Sequence, residues 1–195
     1  ALEDLVRISR SARKLVGKAL AQGAAAEQQL KIIASINDQL SQRVIKLCME
    51  MQQQDVPEFD WLAFGSEGRR EQTLFTDQDN GILFKPRRGM KPDTARELLT
   101  SLARQINEAL DRCGFSLCPG NVMASNPACC LTPDEWRRTL ARCIDESTPA
   151  NMLRAITFFD LRVLHGREGP AEELRHWFLD ATRKNSRFRR QLAEN

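Results

Sequence analysis

With 195 residues and 42% hydrophobic content, the chain can hold one medium domain, or a core domain with a helical appendage. Its 29 basic and 26 acidic residues are interleaved and leave a net charge of +3, too weak to argue for a nucleic-acid partner. No apolar run approaches the ~20 residues needed to cross a bilayer, and the first fifteen residues lack the apolar stretch of a secretory signal.

Leu2, Leu5, Val6, Ala12, Leu15, Val16, Ala19 and Leu20 recur at helical spacing. After a Gly/Ala-rich joint at 23–26, the pattern resumes with Leu30, Ile33, Leu40, Val44, Leu47 and Met51. The spacing predicts a hairpin of two long helices over residues 1–54, serving as scaffold or as the contact of a homodimer. Residues 59–64 then read as a short buried strand closed by Gly65-Ser66, and 81–84 as a second strand stopped by Lys85-Pro86. The helical period returns from Pro92 and ends at Cys113-Gly114, where glycine suits a helix cap. Residues 115–118 read as a third strand, followed by a loop between Pro119-Gly120 and Asn126-Pro127. Beyond Pro133, stretches 134–146, 151–164 and 171–182 read as helices.

The expected outline is an α/β chain of the α+β kind: a helical segment over 1–54, a small mixed-sheet core over 55–130, and a helical segment over 131–195. Ala1 stands where an initiator Met would, so the chain is expected to be an excerpt, cut short at its C-terminal end as well. Cys48, Cys113, Cys118, Cys129, Cys130 and Cys143 form no C-x-x-C pair, and His165 and His176 fall at no ligand spacing to them. Reduced, buried thiols are expected, and with them a cytoplasmic location. Trp61, Trp136 and Trp177 fall at apolar spacings and read as packing residues rather than stacking platforms.

Residues 61–84 read WLAFGSEGRREQTLFTDQDNGILF. One residue separates Asp77 from Asp79, so on an extended segment both carboxylates leave one face. Two such charges call for a cation between them, and Asp is the hard-oxygen ligand magnesium takes alongside waters and phosphates. Upstream, Gly65 allows close backbone approach, while Ser66 and the exposed amides of a turn can face an anion. Arg69 and Arg70 are available to phosphate oxygens, and Glu71 to orient one of them. An anion cradle beside a metal pair is most of what phosphoryl or nucleotidyl transfer requires.

G-S-x-x-R followed by D-x-D between two strands resembles the signature of the DNA polymerase β-like nucleotidyltransferase superfamily. The fuller string FGSEGRREQTLFTDQDNGILF, with GNVMASNP at 120–127 and FFDLRVLHG at 158–166, is similar to one branch of it. That branch lies behind cyclic-nucleotide-binding and CBS domains in bacterial signalling proteins and is related to the uridylyltransferase that modifies protein PII. The resemblance implies a nucleotidyltransferase core with phosphate contacts from Gly65 and Ser66. It implies catalytic, magnesium-binding roles for Asp77 and Asp79, with Arg69 and Glu71 at matching nucleotide-binding positions. Also implied are two magnesium ions, a nucleoside triphosphate, a protein or small-molecule hydroxyl acceptor, and sensor domains N-terminal to this segment in the full-length protein. In that mechanism the hydroxyl attacks the α-phosphate and pyrophosphate leaves.

The sequence departs from the pattern in two respects, and one is that it contains no His-Asp dipeptide of the kind with which the PII-modifying relatives remove the group they add, so no hydrolytic reversal is expected. The third carboxylate that many members place on the next strand is absent from 115–118; Asp160 is a conceivable substitute, but it sits in an apolar periodic segment where a helix-surface or arginine-paired role is expected. A regulatory module that binds nucleotide without turnover is therefore the competing reading. A KH-type RNA grip by Gly65-Ser66-Glu67-Gly68 fits poorly, because here the first glycine ends a strand and acids follow.

Overall fold

A computed structural model describes residues 1–23, 25–73, 76–146 and 148–194. In chain order the helices are α1 (Leu2–Ala21), α2 (Ala26–Met51), the single turn α3 (Gly65–Gly68), α4 (Pro92–Arg112), α5 (Pro133–Glu146), α6 (Pro149–Phe159), α7 (Glu168–Lys184) and α8 (Ser186–Glu194). The strands are β1 (Phe59–Ala63), β2 (Asn80–Phe84), β3 (Cys130–Leu131) and β4 (Arg162–His165). They form one mixed sheet in the order β3-β2-β1-β4, with β1 antiparallel to both neighbours and β2 parallel to β3. The α+β architecture read from the sequence is the one observed.

β1 and β2 are buried at every position, because helices cover both faces of the sheet. Strand alternation then sorts their side chains into two cores. Phe59, Trp61, Ala63, Ile82 and Phe84 join Leu40, Val44 and Ile45 of α2 with Leu99, Leu102 and Ile106 of α4. Leu62, Phe64 and Leu83 join Trp136, Leu140, Phe158, Leu174, Phe178 and Phe188 from α5 to α8. Trp61 and Trp136 are fully buried, and the Trp136 indole N–H donates to the Ile82 carbonyl at 2.9 Å. No helix among the described residues is long and apolar enough to cross a membrane.

Two elements correct the sequence reading. Residues 115–118 form no strand; Ser116 makes only an isolated parallel bridge with Asp77. The predicted helix 151–164 stops at Phe159, and Arg162–His165 turns into β4, hydrogen-bonded to β1. An apolar run of that length does not reveal whether it holds one helix or a helix and a strand. The sheet therefore draws on residues beyond 130, and the first core draws on α2. All six cysteines are unpaired; five are buried and Cys118 is partly exposed.

Candidate active site

The site lies where β1 runs into α3 and where the segment 77–79 runs into β2. β1 and β2 are antiparallel neighbours, so these two ends meet, and the Phe64 amide donates to the Asp79 carbonyl at 2.9 Å. Gly65 turns the chain at a φ of 53°, a left-handed conformation that favours glycine. A Cβ there would stand 3.3 Å from Asp79 Oδ2, so the turn and this carboxylate are in contact. In a helical turn the first amides have no carbonyl one turn back. Gly68 is the first in α3 to donate backward, to Phe64, followed by Arg69 to Gly65. The amides of Gly65, Ser66 and Glu67 precede that point.

Alternation along 77–80 separates acids from amides. Gln78 and Asn80 turn inward and are almost fully buried, whereas Asp77 is exposed and Asp79 half-buried. The Gln78 side-chain amide donates to the carbonyls of Asn107 and Phe115 at 2.9 and 2.8 Å. Asn107 Nδ2 donates to Gln78 Oε1 at 2.7 Å and to Asn80 Oδ1 at 3.1 Å. Asn80 and Asn107 in turn accept from the backbone amides of Ala124 and Ser125. The loop 120–127 and helix α4 are thereby tied to the acid-bearing segment through neutral amides.

Asp79 has its carboxyl pushed up from the usual range by burial, and the charge of Asp77 adds to this, opposed by a hydrogen bond from Cys118. That bond runs from Cys118 Sγ to Asp79 Oδ1 over 3.2 Å. A cation between Asp77 and Asp79 would remove both the repulsion and much of the desolvation penalty. Among the described residues no group of three or more His, Cys, Asp or Glu converges as a metal site. Two carboxylates alone suit an ion that keeps waters and substrate phosphates as its remaining ligands, which is magnesium's habit rather than zinc's. The residues present fit such an ion.

Around α3 the arginine side chains are already paired. Arg69 Nε meets Glu71 Oε2 at 2.8 Å, and Arg69 Nη1 meets Asp160 Oδ2 at 2.7 Å. Arg70, itself at a φ of 58°, lies 3.6 Å from Asp38 on α2. Asp160 is thus the partner of an arginine and not a third acid beside Asp77 and Asp79. Glu67 is buried, its carboxyl raised to about 8 by burial first and by Asp38 and Asp79 next, against the lowering effect of Arg162. Sequence reasoning passed over Glu67, since a glutamate between two glycines reads as a solvated turn. It also passed over Cys118 and Arg162. Only the second left a signal: an arginine inside FFDLRVLHG needs a partner wherever that run is buried.

The chain matches the family model described as "Putative nucleotidyltransferase DUF294" over residues 10–150. That span includes α3, Asp77 and Asp79, most of the α1–α2 hairpin, and the chain through α5. No curated protein matches it.

Proposed function

The chain belongs to that nucleotidyltransferase family, and from this premise we propose that it transfers a nucleoside monophosphate from a nucleoside triphosphate to a hydroxyl acceptor, uridylylation or adenylylation of a protein being the form expected in bacterial signalling. The bond formed joins the acceptor oxygen to the α-phosphorus, the bond broken is that to the β-phosphate bridge, and pyrophosphate and the hydroxyl proton are released. The observation that carries this reading is the contact of Asp79 with the Gly65 turn. It brings the Gly65 turn and the acid-bearing segment side by side although thirteen residues separate Gly65 from Asp79, and that proximity is what a phosphate grip working with a carboxylate pair would require.

Gly65 and Ser66 would hold phosphate oxygens through the amides that open α3 and through the serine hydroxyl. Arg69, held at the exit of the turn by Glu71 and Asp160, would supply a cation to phosphate oxygens. Asp77 and Asp79 would hold magnesium, which when bound neutralises the triphosphate and aligns it for in-line displacement. The buried amides of Gln78, Asn80 and Asn107 keep both acids on one face.

The full chain incubated with each common nucleoside triphosphate, magnesium and candidate acceptors should release pyrophosphate, and Asp79→Asn should lower that rate on the order of a hundredfold or more. Because Asp79 carries a raised carboxyl, the same variant should be no less stable at neutral pH without metal. Nucleotide binding with no release under any acceptor would favour the regulatory module.

A further inference from the structure

Arg162, on β4, reaches across to α3, and its guanidinium divides between two partners. Nε donates to the Gly68 carbonyl at 3.3 Å and Nη2 to the Glu67 carbonyl at 2.8 Å. Nη1 and Nη2 also grip both carboxylate oxygens of Asp38 on α2, at 3.0 and 2.8 Å. Both side chains are largely withdrawn from solvent, 19% and 14% exposed. We propose that Arg162, anchored by Asp38, is a positioning residue for nucleotide binding: it fixes α3 by its carbonyl end so that the amides at the other end face the phosphates.

The need for such a holder follows from the length of α3. A four-residue turn fixes as many dihedrals as a helix nucleus does and gains few hydrogen bonds of its own, so by itself it is unstable. Without Arg162 the Gly68 carbonyl at its far end would lose this donor, and the Glu67 carbonyl would keep only the Arg70 amide, at 3.2 Å. A planar guanidinium can accept this load while remaining paired, because its fork presents five donors at fixed angles. Lysine, a point charge on a flexible stem, cannot engage two carbonyls and a carboxylate together in that plane. Asp38 supplies the counter-charge that makes a half-buried guanidinium tolerable, and its bidentate grip sets the plane. Helix α2, strand β4 and the turn are thereby locked to one another at a single group.

The proposal rests on reading α3 as the phosphate grip, so its test separates the two. Amide hydrogen exchange on the full chain is followed beside binding of magnesium tripolyphosphate, a probe with no base or sugar. Arg162→Lys keeps the charge and loses the fork; Asp38→Asn keeps the shape and releases the arginine should the first variant fail to fold. Both should leave far-UV circular dichroism unchanged while exchange at Gly68 and Arg69 speeds by about tenfold. Tripolyphosphate binding should weaken on the order of tenfold or more. Arg104→Lys, exposed on α4, should alter neither. Unchanged exchange at Gly68 and Arg69 in both variants overturns the clamp. Faster exchange with unchanged tripolyphosphate binding overturns its role in nucleotide binding. A wild-type chain that binds no tripolyphosphate overturns the phosphate reading of α3 itself, even where faster exchange upholds the clamp.

Discussion

The two halves of the candidate site are held by different chemistry. The turn Gly65–Gly68 is fixed from outside by ions: Arg162 with Asp38 at its carbonyl end, and Arg69 with Asp160 and Glu71 along its exit. The segment 77–80 is fixed from beneath by neutral amides of Gln78, Asn80 and Asn107. Ion-held geometry responds to pH and ionic strength, whereas a buried amide network responds to neither and fails only when a partner is lost. One half is therefore adjustable and the other rigid, and the contact between Gly65 and Asp79 joins them.

Four substitutions test how far this division holds. The largest effect is expected from Gly68→Ala, because a Cβ there would fall 1.8 Å from the Asp160 carbonyl oxygen, a backbone atom that has little room to give. Turn and α6 must separate, at a loss of roughly 4 kcal/mol, read as a drop of roughly 10 °C in thermal melting. Asn107→Ala strips the acceptors on Gln78 and Asn80 and the backbone N–H of Ser125 of their partner, and should destabilise by about 2–3 kcal/mol. Its melting shift should be the same at low and high salt, and a salt-dependent shift would erase the distinction between the halves.

Glu67→Gln should act through pH. The folded-state carboxyl is raised from 4.5 to about 8, with Asp38, Asp79 and Arg162 facing it. A raised acid binds its proton more tightly when folded, so its contribution is intact below the unfolded value and stability declines as pH rises between these two limits. The glutamine variant should flatten that decline, gaining on the order of a few kcal/mol at pH 8; parallel pH–stability curves for both proteins would refute it. The smallest effect belongs to Arg69→Ala, whose partners at the rim are exposed: under about 1 kcal/mol of stability, with only a several-fold loss in nucleotide affinity by calorimetry.

Legibility in the sequence followed distance along the chain. β1 and β2 were readable to within a residue, because a run of apolar residues closed by Gly65-Ser66 and one stopped by Lys85-Pro86 carry their own boundaries. Asp77 and Asp79 were readable as a pair because period-two alternation is a local property. β3 was not, since two residues contain no period, and β4 was hidden behind α6 in one apolar run. The holders of α3 were the least visible. Asp38 and Arg162 lie 124 residues apart, and neither residue type announces the other.

The placement of Arg162 also fixes an order of assembly. A chain leaving the ribosome presents Asp77, Asp79 and Asn107 long before residue 162 is translated. The acid segment can settle on α4 at that stage, but the neighbouring loop must wait for β4 to dock along β1. Anchoring of the turn α3 is thus among the last events of synthesis, and a chain stalled before β4 emerges would carry the acids beside an unclamped turn.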